Sequence, residues 1–164
     1  MQINKLISDL EGKWLAQQTL YNISLGISKS HKYEVYYKKN DNIKYLGNFL
    51  LPTEKTQNLE ILWTNNITTT NGILNYMILF IISNQNNMGR FIKWNKNKPG
   101  SLVKGNFMLN QYNILTCTSY QKDYYIVEKI YTPGENLKLS TCVIKKYKIC
   151  IFVSFISEIK YKKA

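Results

Sequence analysis

Hydrophobic positions form one helical stretch followed by a long series of short alternating runs. Ile3, Leu6, Ile7 and Leu10 recur at i, i+3, i+4 and i+7, which places them on one face of a helix, and Gly12 follows as a stop signal. Beyond Gly12 the period shortens to two. Tyr33, Val35 and Tyr37 alternate as on a half-buried strand. Further runs rich in Ile, Val, Tyr, Phe and Thr follow at Leu59–Trp63, Tyr76–Ile82, Arg90–Trp94, Gly105–Leu109, Ile114–Ser119, Tyr124–Tyr131, Leu137–Lys145 and Ile149–Ile159. Between them lie Asn86-Asn87-Met88-Gly89, Lys98-Pro99-Gly100 and Pro133-Gly134-Glu135-Asn136, with weaker turn chemistry at Asp41-Asn42 and Asn110–Asn113. About nine or ten closely spaced strands after one short helix predict an all-β antiparallel barrel or sandwich. A barrel is preferred, because closure leaves no edge strand exposed and encloses space for one small ligand.

Composition narrows the class. The 164 residues, 45% of them hydrophobic, predict a single domain spanning 1–164 with its own core. The longest apolar run, Ile73 to Ile82, is broken by Asn75 and is too short for a bilayer span, and the first residues lack a secretory pattern. A soluble protein of a reducing compartment, with no membrane partner, is expected. Net charge is +12, yet Arg90 is the sole arginine. Arginine is the side chain suited to bidentate phosphate and guanine contacts, so the lysine excess argues poorly for a specific nucleic-acid reader. Abundant Asn, Ile, Lys and Tyr with scarce Ala, Arg and Gly instead match the codon bias of an AT-rich genome, such as an organelle's.

The usual catalytic equipment is missing. His31 is the sole histidine and lies in the polar stretch Ser28–Lys32, which reads as a surface turn. A histidine-dependent triad and a multi-histidine metal site are thereby excluded. The three cysteines show no C-x-x-C spacing, and no glycine-rich phosphate loop occurs, so no metal site is expected. Two carboxylates do stand inside apolar strands: Glu128 in Tyr125–Tyr131 and Glu158 in Phe155–Lys160. Alternation puts Glu128 on the face of Ile126 and Ile130, which is either a solvated outer face or the wall of a pocket. In a pocket such a carboxylate must meet a donor or shift its pKa.

Gly12-Lys13-Trp14 sits where the helix hands over to the first strand, as in lipocalin-like barrels, where the indole lies across the closed end. Four segments in order, Gly12–Thr19, Val127–Tyr131, Asn136–Cys142 and Ser157–Lys160, together resemble the S-type phycobiliprotein lyases, the CpcS/CpeS chromophore lyase family. The resemblance spans Gly12 to Lys160 and, with the composition, implies a plastid-encoded member acting in the chloroplast stroma. It implies a lipocalin-like antiparallel barrel of about ten strands with a short amino-terminal helix. It also implies a metal-free lyase that binds a bilin, such as phycocyanobilin or phycoerythrobilin, and attaches it to a cysteine of an apo-phycobiliprotein subunit. A homodimer and a heterodimer with a paralogue both stay open.

Carried over residue by residue, the resemblance makes Glu128 and Glu158 the catalytic carboxylates. It assigns substrate contact to Trp63, Ile61, Lys138, Ser140, Cys142, Trp14 and Gln18, although Trp14 reads equally as a core anchor. Lys138, Ser140 and Gln18 stand where the family commonly has arginine, and Cys142 where it has serine. These departures remove guanidinium forks that grip propionates, and leave lysine as a monodentate partner. Two alternatives follow: the same barrel as a carrier that does not transfer its ligand, and a basic nucleic-acid-binding barrel.

Overall fold

In the computed structural model of the chain, residues 3–40, 55–64, 74–83, 87–98 and 100–161 are described, without the side chains of residues 58, 63, 64 and 74. One helix, α1 (Ile3–Leu10), precedes ten strands: β1 (Gly12–Asn22), β2 (Ile27–Lys39), β3 (Lys55–Thr64), β4 (Leu74–Ile82), β5 (Met88–Asn95), β6 (Val103–Leu109), β7 (Ile114–Gln121), β8 (Tyr124–Gly134), β9 (Leu137–Lys146) and β10 (Ile149–Lys160). Each strand pairs antiparallel with its sequence neighbours, and β1 also pairs with β10, which closes the barrel. This is the closed antiparallel barrel preferred from the alternating pattern, and the lipocalin-like architecture that the resemblance implies.

The helix is held at its carboxyl end by side chains that follow it. Its apolar face, Ile3, Leu6, Ile7 and Leu10, is fully buried. Gly12 then takes φ +128°, a region closed to most L-residues, and swings the chain into β1. The Trp14 indole N–H donates to Leu10 O at 2.8 Å, and Lys160 Nζ donates to Asp9 O at 2.8 Å. A ring donor and a cation thus satisfy carbonyls that the last turn leaves unpaired. The helix is thereby fixed across one end of the barrel, above a core that includes Trp14, Val35, Tyr37, Leu59 and Leu115.

Inside the barrel, alternation works as the pattern predicts. The inward residues of β5 and β6 include Phe91 and Phe107, and Gly105 lies between β5 and β7. A Cβ at Gly105 would stand 2.2 Å from Thr118 O and 2.6 Å from the Phe91 ring, so only glycine fits there.

Two expectations need correction. Ser28–Lys32 is not a turn but the first part of β2, paired with Thr19 to Tyr21 and their neighbours in β1. Residues 27–32 are exposed throughout, and among the described residues β2 pairs with β3 only through Glu34–Lys39. A strand segment wetted on both faces has no reason to carry apolar side chains, so its polarity mimicked a turn. Met88 and Gly89 likewise open β5 instead of lying in the preceding turn. The Asp41-Asn42 turn lies outside the described residues.

Candidate functional site

The barrel encloses a cavity of about 110 Å³, floored by Leu6, Ile7 and Leu10 of α1. Glu128, Lys138, Ser140, Cys142 and Glu158 all line it, as does Ile61. The register explains the clustering. Glu128 stands opposite Cys142, and Glu158 opposite Lys138, on adjoining strands whose inward residues share one wall.

Near the helix end, Lys138, Glu158 and Tyr37 form a buried polar triad. Lys138 Nζ lies 2.6 Å from Glu158 Oε2. The Tyr37 hydroxyl donates to the same carboxylate, at 3.1 Å to Oε1 and 3.0 Å to Oε2, and accepts from Lys138 Nζ. Burial lowers the Lys138 pKa against the pull of Glu158, and raises that of Tyr37 well above the usual phenol value, with Glu158 adding to the rise. Both oxygens of Glu158 are therefore engaged within the protein. Tyr37 was not foreseen as a partner: in the run Tyr33–Tyr37 it has the signature of any core aromatic.

Glu128 is placed differently. It is partly exposed, and Lys93 Nζ lies 3.7 Å from its Oε1, beyond hydrogen-bond length. Lys93 also stands 5.4 Å from the Tyr76 ring centroid. A second recess of about 270 Å³, reached past Ser101, Val103 and Gln121, shares Phe91, Lys93 and Glu128 with the inner cavity. The Lys93–Glu128 pair thus stands between the inner space and the mouth. Lys93 is three strands away from Glu128 in the barrel order, so no local sequence signal connects them.

Cys142 faces the cavity with its thiol pushed up to about 11, first by burial and then by Glu128. At neutral pH it is a thiol, not a nucleophile. Iodoacetamide should label it slowly near pH 7.5, with the rate climbing about tenfold per pH unit toward 11. Fast labelling that is flat across neutral pH, followed by peptide mass spectrometry, would contradict this environment.

The remaining sequence candidates scatter. Trp14 does not line the cavity; it is buried beneath it, edge-on to Tyr37 at 6.4 Å between centroids. Gln18 Nε2 donates to Ser154 Oγ at 2.8 Å and also lies off the cavity wall. Trp63 pairs through its backbone with Val35 and Leu74, and its side chain lies outside the described residues. His31 is exposed on β2. A further buried carboxylate, Glu60, is tied to Lys96 at 2.5 Å and Asn75 at 3.0 Å, away from the cavity. A larger concavity of about 580 Å³ runs over the outer faces of β1, β10, β9 and β8, where Phe155, Leu139 and Tyr131 line it. Its lining contains no carboxylate, so the acid-bearing interior is the better candidate for ligand chemistry.

No family model matches the chain. Its curated relatives include a "Chromophore lyase CpcS/CpeS homolog" of Gracilaria tenuistipitata var. liui, 25% identical over 161 residues that make up 98% of both chains. Another is "Chromophore lyase CpcS/CpeS 1" of Trichodesmium erythraeum, 24% identical over 163 residues, covering 93% of this chain and 94% of that one. Among solved structures, the S-type phycobiliprotein lyase CpeS of Guillardia theta superposes with a TM-score of 0.77 over 100% of this chain and 95% of its own, at 11% identity. A protein of unknown function from Nostoc punctiforme shares the fold less fully, with a TM-score of 0.58 at 12% identity, over 94% of this chain and 49% of its own.

Proposed function

We propose that the chain is a member of the CpcS/CpeS chromophore lyase family of these relatives, which holds an open-chain tetrapyrrole in the barrel and joins it to a cysteine of an apo-phycobiliprotein subunit. The observation that carries this is Glu128, an inward carboxylate at the mouth of an aromatic-lined cavity, opposed among the described residues by one long ion pair. A bilin offers a flat π-system, pyrrole N–H donors and two propionates. Glu128 accepts from the pyrrole N–H groups, and Lys93, released from it, turns to a propionate. Ligand pockets commonly span about 300–1,000 Å³, so the inner cavity of about 110 Å³ is too small alone. The pigment therefore occupies cavity and mouth together, and the Lys93–Glu128 pair has to part for it to enter.

A carboxylate against the pyrroles favours the protonated pigment, whose A-ring ethylidene carbon is the more electrophilic. The acceptor cysteine adds there: an S–C bond forms as the exocyclic double bond opens, and the thiol proton ends on the pigment. The step is a net addition that needs no oxidant. Holding one face of the pigment toward the thiol is the main catalytic contribution. The AT-rich composition supports a plastid stromal setting.

A carrier that binds without transferring is favoured by one feature, the replacement of the family's arginines by Lys138, Ser140 and Gln18. Incubation with a bilin and apo-phycobiliprotein separates the two. The lyase yields a coloured adduct that survives urea and maps by mass spectrometry to one cysteine, whereas pigment that is fully extractable under denaturing conditions leaves only the carrier.

A further inference from the structure

In an up-and-down barrel the turns β1–β2, β5–β6, β7–β8 and β9–β10 fall at one end, opposite α1. Three of them follow one another around the rim, because β1, β10, β9, β8 and β7 are consecutive. They are also physically joined. Ile23 N–H donates to Ile151 O at 2.9 Å, and the Tyr147 hydroxyl donates to Asp123 Oδ2 at 3.2 Å. Lys146 Nζ lies 5.5 Å from the Tyr124 ring centroid and 5.6 Å from that of Tyr147.

The side chains on this rim are wrong for plain solvated turns. Leu25 is 68% exposed, Tyr120 75%, Tyr147 71% and Ile149 69%. Single exposed apolar residues are ordinary, but four of them on three adjoining hairpin turns mark a contact surface. The backbone points the same way. Tyr147 and Lys148 take φ +49° and +69°, and Lys122 takes +53°, positions where Asn or Gly would be the relaxed choice. Among the described residues of these three turns the charge is one-sided: Lys122, Lys146 and Lys148 stand with a single carboxylate, Asp123, which already accepts from Tyr147.

We propose that this rim is the docking surface for the acceptor protein, and that it fits a partner face with an apolar centre and an acidic surround. The inference rests on the lyase reading above. It follows from where the mouth is. The recess holding Lys93 and Glu128 is reached past Ser101 and Gln121, at the β5–β6 and β7–β8 ends of the same rim. A protein seated on the lysines lies against that opening and brings its thiol to the pigment, whereas an anionic membrane seated there would cover it. Rim charges of this kind set encounter rate and salt dependence more than the chemistry that follows.

The test is the double variant Lys122→Glu/Lys148→Glu, with Leu25→Ser/Ile149→Thr as a second that leaves the charge intact. Pigment binding is read by absorbance without acceptor, and acceptor binding is read with immobilised apo-phycobiliprotein without pigment. Transfer then gives KM and kcat across a salt series, and anionic phosphatidylglycerol vesicles are sedimented in parallel. Both variants should bind pigment as the unaltered chain does and lose acceptor affinity about tenfold or more, with kcat little changed. Only the charge reversal should flatten the salt dependence. Unchanged acceptor affinity in both variants overturns the proposal, as does vesicle binding that the reversal abolishes while acceptor KM stays put. A chain that transfers nothing yet binds acceptor through these lysines supports the docking surface and sinks the lyase reading instead.

Discussion

Replacing Glu158 with leucine should destabilise the protein by about 3–5 kcal/mol, measured by urea unfolding at neutral pH. The variant leaves the Lys138 ammonium buried with only the Tyr37 hydroxyl for a partner, because Lys138 and Glu158 are both almost fully enclosed and 2.6 Å apart. An uncompensated buried charge is far more harmful than a missing pair. The double variant Lys138→Met/Glu158→Leu should therefore recover most of the loss, since apolar groups of similar volume remove both desolvation penalties at once. A single variant as stable as the original would show that this triad does not hold the helix end of the barrel together. The comparison also bears on function. A loss of transfer on changing Glu158 has to be weighed against lost folding, because Tyr37 and Lys138 already occupy that carboxylate.

For Glu128→Gln the expectation is reversed: a stability within about 1 kcal/mol of the original, because its ion pair with Lys93 is long and partly exposed, and transfer slowed by about a hundredfold or more. Glutamine keeps the shape and a hydrogen-bond acceptor but removes the charge that favours the protonated pigment. The rate of urea-stable adduct formation at saturating bilin is the measurement. An unchanged rate would remove Glu128 from the mechanism and leave the barrel with a positioning role alone.

Much of the fold was legible because its signals are local. The i, i+3, i+4, i+7 spacing of α1 and the period of two in β3 to β10 report burial directly, and their ends agree with the structure to within a few residues. What failed was the first part of β2, where both faces are wet and the period vanishes. The site was legible in part. Glu128, Glu158, Lys138, Ser140, Cys142 and Ile61 do converge on one cavity, whereas Trp14 and Gln18 lie off its wall. Tyr37 and Lys93 escaped notice because their partners are supplied by barrel closure. Tyr37 of β2 meets Lys138 of β9 and Glu158 of β10, and Lys93 of β5 meets Glu128 across the interior. Nothing in the flanking residues of either records that encounter.

The helix laid across one end of the barrel, pinned by Trp14 and Lys160, makes the interior a cul-de-sac. On the proposed reading, a long, narrow pigment that backs into the barrel meets α1 at its far end. If the chain is the lyase proposed above, the terminal ring that goes in last is the ring left at the threshold, and the order of entry decides which end of the pigment a visiting thiol meets.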